Sequence, residues 1–152
     1  MILSENFALY EFLRSQTATQ HDIDMTPPAW VVENLQALVV TCLQPLRNAA
    51  GAPLNISSGY RPTALNIAIG GSLTSEHRNG NAADFTIPGL TPFEVCELVV
   101  ELGLPYDQVI QEHGIWTHLG IRDNLRRMEL TAYRKDGKTL YVPGIATMES
   151  LL

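Results

Sequence analysis

The sequence predicts an α+β fold in which N-terminal helices pack on an antiparallel sheet. Three observations lead there. Apolar residues recur at helical spacing in the first part of the chain, most clearly from Trp30 to Arg47. The second half instead carries short apolar runs separated by turn residues, with one helical stretch among them. Strands joined by tight turns pair antiparallel, whereas a parallel pair needs a long crossover.

From the N-terminus, Phe7, Leu9, Tyr10, Phe12 and Leu13 beneath a Ser4 cap predict a short amphipathic helix over Ser4–Ser15, followed by a polar connector to Met25. Pro27 and Pro28 open a long helix, with Thr26 as its cap, that runs from Trp30 to Arg47 and is closed by Gly51-Ala52-Pro53. Leu54-Asn55-Ile56 is a short strand entering the turn Ser57-Ser58-Gly59, with Arg61 just beyond it. A second helix, Thr63 to Ile69, stops at Gly70-Gly71, and a loop rich in Ser, Asn and Gly continues to Asn81. Ala82 to Ile87 is a strand and Pro92 to Leu102 an amphipathic helix. Gln108–Ile110 and Ile115–Ile121 form a hairpin through His113-Gly114. A last hairpin, Leu130–Tyr133 with Thr139–Val142, turns at Lys135-Asp136-Gly137-Lys138, where Asp-Gly supplies the residues a tight turn needs.

One domain over residues 1–152, with 128–152 as a C-terminal hairpin and tail, accounts for the length. A chain of this size buries about 70% of the surface it exposes unfolded, so its core needs neither disulfides nor a structural metal. Any metal would serve chemistry. Cys42 and Cys96 lie in apolar helical segments without a CxxC spacing and read as buried thiols. Ten Lys and Arg stand against 16 Asp and Glu, a formal charge of −6, which disfavours nucleic acid and anionic membrane as partners because phosphate binding needs a basic face. The N-terminus has no basic and apolar signal-peptide pattern, and no apolar run approaches the roughly 18 residues of a membrane span.

Chemistry concentrates between Ser75 and His118. Ser75-Glu76-His77-Arg78-Asn79-Gly80-Asn81-Ala82-Ala83-Asp84 sets an imidazole and a carboxylate seven residues apart around a glycine, and His118 supplies a second imidazole. Catalytic zinc takes three protein ligands from His, Asp or Glu and keeps a fourth position open, and His77, Asp84 and His118 fit that set. A bend at Gly80 can bring His77 beside Asp84, and a neighbouring strand can present His118 to the same point.

Ser75 to Asp84 followed by Trp116-Thr117-His118 resembles the metal site of the zinc D-alanyl-D-alanine carboxypeptidases and dipeptidases, whose fold is shared with lysostaphin-type peptidases and the hedgehog signalling domain. Phe7 through Thr17-Ala18, Asn34 through Leu46-Arg47, Ser57-Ser58-Gly59-Tyr60-Arg61, Leu65-Asn66, Gly70-Gly71-Ser72 and Tyr106-Asp107-Gln108 are similar to the small phage and prophage, endolysin-like branch. The resemblance covers about residues 4 to 122. It implies one zinc ion per chain on His77, Asp84 and His118, an Arg61 that steadies the carbonyl oxygen, and cleavage next to D-alanine in peptidoglycan stem peptides. It also implies synthesis in the cytoplasm of a bacterial host, with action at the cell wall after release or as part of a virion.

Glu112, the nearest acidic residue upstream of His118, is the candidate base that takes a proton from water and returns it to the leaving amine. The dipeptidase branch has its acidic residue three before the last histidine, where this chain has Ile115; the spacing of six looks like that of hedgehog domains and the phage branch. Six extended residues span roughly 20 Å, so Glu112 qualifies only if the chain turns at His113-Gly114. Arg61 is otherwise a turn arginine in a surface ion pair. Ser75 either binds substrate backbone or shapes the loop, and Trp116 is a wall of the cleft or part of the core. His113 either supports the site or is an exposed hairpin tip, and His21 has no assigned role. The expected enzyme is a monomeric zinc peptidase, a D,D-carboxypeptidase or an endopeptidase. The alternative is a non-catalytic zinc-binding phage structural or cell-wall-binding module.

Overall fold

A computed structural model describes residues 1–151; Leu152, the last residue of the expected domain, lies outside the described residues. Where the apolar spacing predicts a first helix, the chain forms a small hairpin, β1 (Ile2–Ser4) and β2 (Phe7–Ala8), and then a 3₁₀ turn over Leu9–Phe12. Gln44 accounts for the difference: its Oε1 accepts the Ser4 hydroxyl and the Asn6 N–H, which folds the segment back on itself before a helix can start. Phe7 and Phe12 are buried and Tyr10 is exposed, so the apolar residues do not share one helical face. Ser15 then caps α1 (Gln16–Gln20), a helix within the expected connector, by accepting from the Ala18 N–H.

The long helix begins at Ala29, with Pro28 in the cap position; Thr26 lies farther upstream and donates its N–H to Asp24. It is three pieces: α2 (Ala29–Leu38), a π-helical turn over Val39–Leu43, and α3 (Gln44–Ala50). Pro45 explains the π turn. A proline inside a helix lacks its N–H and collides with the carbonyl four residues back, and widening the preceding turn relieves the collision. Gly51, at φ 64°, ends α3 in the left-handed conformation that glycine adopts without strain.

β3 (Asn55–Ser58), α4 (Thr63–Ala68), β4 (Ala82–Thr86), α5 (Pro92–Glu101), β5 (Gln108–Glu112) and β6 (Trp116–Gly120) follow within a few residues of expectation. α5 carries a full capping box, with Thr91 and Glu94 each bonding the other's backbone N–H. The last hairpin, β7 (Met128–Lys135) and β8 (Lys138–Pro143), is longer than the sequence suggests and joins the same sheet. The α+β class holds. The six-stranded order is β3-β4-β6-β5-β7-β8, antiparallel except that β7 runs parallel to β5. After β6 the chain crosses the start of β5, where Asp107 accepts three bonds from Arg126 and the Met128 N–H bonds the Asp107 carbonyl. That clamp starts β7 beside the beginning of β5, so the two strands run the same way.

Side chains alternate across a sheet, and directly paired residues share a face. One face carries Ala83, Phe85, Val109 and Leu119, all fully buried in a core with Leu35, Leu38, Val95 and Val99 from the helices. Cys42 and Cys96 are free thiols within that core. Burying each such Leu or Phe contributes about 1.5–3 kcal/mol. The opposite face bears Asp84, His118, Ile110, Glu112, Trp116 and, farther across, Ala132 and Tyr141. Stability sits on one side and reactive groups on the other. No described helix is long and apolar enough to cross a membrane.

Candidate metal centre

His77 stands on a 3₁₀ turn, Glu76–Asn79, that the expected loop does not anticipate. Ser75 caps that turn by accepting the His77 N–H at 3.3 Å, which shapes the loop. Gly80 ends it at φ 74°, and a Cβ there would lie 2.8 Å from the Val31 carbonyl oxygen. The carbonyl of Gly59 then fixes the imidazole: it lies 2.8 Å from His77 Nδ1, so Nδ1–H donates and Nε2 keeps its lone pair. Gly59 is itself confined, because a Cβ would come within 2.7 Å of the Phe12 backbone. Asp84 and His118 need no loop: they are directly paired residues of β4 and β6.

The three ligand atoms form a small triangle. His77 Nε2 is 3.3 Å from Asp84 Oδ1 and 3.3 Å from His118 Nδ1, and His118 Nδ1 is 3.0 Å from Asp84 Oδ1. Zinc–nitrogen and zinc–oxygen bonds of ~2.05 Å in a tetrahedron set its edges at about 3.3 Å, so these atoms match one tetrahedral face. Electrostatics agree. Burial holds His77 below the ordinary histidine range against the pull of Asp84, so its imidazole is neutral and able to ligate a metal. Burial opposes ionisation of Asp84, yet the hydrogen bond from His118 beside it holds its carboxyl well below the usual carboxylate range. A neutral Nε2 lone pair against a carboxylate oxygen is an unfavourable buried contact that a cation resolves. The donor set fits a divalent metal.

Arg61 braces this cluster. Its Nη2 donates to Asp84 Oδ2 at 2.9 Å, its Nε to Ser58 Oγ at 2.9 Å, and its backbone N–H to the His77 carbonyl at 2.9 Å. Asp84 thus presents Oδ1 to the imidazoles while Arg61 holds Oδ2. Glu112 reaches the same face because the chain does turn at His113-Gly114, with φ of 59° and 69°. Glu112 pairs with Trp116, one step of two residues from His118, which brings the Glu112 and His118 backbones within about 8 Å instead of roughly 20 Å. Burial pushes the Glu112 carboxyl up to about 7, with Asp84 adding to the rise and His118 and Arg61 opposing it.

Trp116 flanks the site, its ring 5.4 Å from that of His113, and its buried Nε1–H has no partner among the described residues. His113 is part of the turn and lies 4.0 Å from Glu112 Oε2. His21 is the C-cap residue of α1, its backbone N–H bonded to the Thr17 and Thr19 carbonyls. Sequence reasoning missed Gly59 and Ser58 as the groups that orient His77 and Arg61. Their roles are carried by a carbonyl and a loop hydroxyl, which leave no spacing pattern; only the resemblance around Ser57–Arg61 pointed there.

A comparison with curated proteins finds no match to the chain. The family model for Peptidase M15, a family of zinc-dependent peptidases, matches residues 5–120, a span that begins before β2 and closes with β6, and so takes in His77, Asp84, Glu112 and His118. With three-quarters of its length covered and the metal-ligand triangle in place, the chain belongs to the Peptidase M15 family.

Proposed function

We propose that this protein is a zinc peptidase that hydrolyses peptide bonds next to D-alanine in bacterial peptidoglycan stem peptides. The observation that carries the reading is the triangle of His77, Asp84 and His118 ligand atoms with edges of 3.0–3.3 Å, built where the His77 turn meets the face of the sheet opposite the core. A zinc ion held there supplies a Lewis acid for the peptide carbonyl and brings the pKa of bound water to about 7.

The chain's own groups do the rest. Gly59 locks His77 in the tautomer that offers Nε2, and Arg61 locks Asp84 so that one carboxylate oxygen faces inward. Glu112, held near neutrality by its burial, takes a proton from the attacking water at a carboxylate oxygen and hands it to the leaving amine nitrogen. The Arg61 guanidinium, with Nη1 unengaged by the protein among the described residues, is placed to share charge with the carbonyl oxygen. Trp116 walls the cleft beside His118.

Elemental analysis of the purified protein, run beside a digest of purified peptidoglycan read by mass spectrometry, tests this reading. The expected result is about one zinc per chain and new peptide termini at D-alanine; the fragment masses assign carboxypeptidase or endopeptidase action. Glu112→Gln should retain zinc and lose at least about 10²-fold in turnover. Zinc-loaded wild type that releases no amine from peptidoglycan overturns the enzyme and leaves a metal-binding cell-wall module.

A further inference from the structure

The β7–β8 hairpin begins eight residues after the matched Peptidase M15 span ends, yet it extends the catalytic sheet on the side of Glu112. Its register is unbroken: Glu112 pairs with Ala132, and Ala132 pairs with Tyr141. All three side chains therefore share the face that carries Asp84 and His118. Ala132 is fully buried although it lies on the open face, so its neighbours close over it, while Tyr141 keeps half its surface exposed. A small residue between two long ones is the arrangement that lets a tyrosine ring lie across one strand toward the next.

The charge environment agrees with that direction. Burial raises the Tyr141 phenol above its ordinary range, and the carboxylates of Glu112 and Asp84 raise it further. Tyr141 stands two strands from Glu112, about 10 Å between backbones at the usual strand spacing, a gap that a tyrosine side chain on that face spans in large part. That hydroxyl has no protein partner among the described residues. At the other side of the same face stands Arg61, beyond the end of β3. The tail fastens the hairpin from behind: Thr131 Oγ1 donates to the Gly144 carbonyl and accepts from Ala146, and Gln111 donates to the Ala146 carbonyl.

We propose that the C-terminal hairpin completes the substrate cleft and that the Tyr141 hydroxyl is a substrate-contacting group, donating a hydrogen bond to a carbonyl or carboxylate oxygen of the bound peptide opposite Arg61. This rests on the peptidase reading above. It assigns the hairpin a specificity role that the matched span does not contain.

The test compares Tyr141→Phe, Tyr141→Ala and Leu140→Ala, the last on the same strand but the other face. Each is assayed for kcat/KM on a synthetic stem pentapeptide. Each is also combined with Glu112→Gln and titrated with the same peptide by calorimetry, which reads binding without turnover. Tyr141→Phe should weaken both kcat/KM and binding about ten-fold, the scale of one lost hydrogen bond, with Leu140→Ala at the wild-type level and zinc content unchanged in all three. Wild-type values for Tyr141→Phe in both assays, in an enzyme that does cleave the peptide, overturn the Tyr141 assignment and leave the peptidase standing. Equal losses in Tyr141→Phe and Leu140→Ala also overturn it, because they trace the effect to hairpin packing. A wild type that neither binds nor cleaves the peptide overturns the peptidase reading and this inference together.

Discussion

Glu112→Gln should do two opposite things, and the second comes from folding alone. A carboxyl whose pKa rises from 4.5 unfolded to about 7 folded is protonated more readily in the native state. The native protein therefore carries a penalty on ionised Glu112 that is absent below the unfolded pKa, grows between 4.5 and 7, and is complete above 7. That rise corresponds to about 3 kcal/mol at its plateau. Glutamine has the same shape and no charge, so the metal-free variant escapes the penalty. Urea unfolding of both proteins in chelator, at pH 5 and pH 8, isolates it, because every other titrating group is common to the pair. The stability advantage of the variant over wild type should grow by about 2.5 kcal/mol between the two pH values. Chelator is essential, since a bound dication lowers the carboxyl pKa and shrinks the difference. If the two pH–stability curves run parallel, Glu112 is solvated and the case for it as a base poised near neutrality fails.

Arg61→Ala frees Asp84 Oδ2 and should weaken zinc binding about 10–100-fold, read by competition with a chromophoric chelator, while Arg61→Lys recovers only part because a point charge cannot span Asp84 and Ser58. Gly59→Ala forces a Cβ to within 2.7 Å of the Phe12 backbone; the displaced carbonyl should cost about 1–3 kcal/mol in urea unfolding and lower zinc occupancy together. Metal should be retained at pH 7 and lost in acid, because His77 must be neutral to ligate; burial already holds its pKa down, so release measured by stepwise dialysis needs more acid than an ordinary histidine would, and full occupancy at pH 4 would contradict imidazole ligation.

The parts of this molecule that were legible in its sequence are those set by local chemistry. The Asp136-Gly137 turn and the Gly80 bend each write their geometry into adjacent residues. Errors came where a distant partner decides. Gln44 folds Ser4 to Ala8 into a hairpin from 38 to 40 positions away, against a helical apolar spacing. The parallel β5–β7 pair hangs on Asp107 reaching Arg126 after β6, and neither residue advertises the other.

The metal site divides along the same line, which bears on how its pieces can vary. Asp84 and His118 are bound to each other by strand register: any chain that pairs β4 with β6 in this way sets the two side chains together, so their meeting costs no loop order. His77 has no such guarantee. Its place depends on a capped turn, on a left-handed glycine and on the Gly59 carbonyl arriving from beyond β3, three conditions drawn from two segments. A perturbation in the helices, such as one that moves Phe12 or Val31 against these glycines, therefore reaches the metal through His77 first and leaves the Asp84–His118 pair in register. The core thus sets ligand geometry through the one ligand that the sheet does not hold.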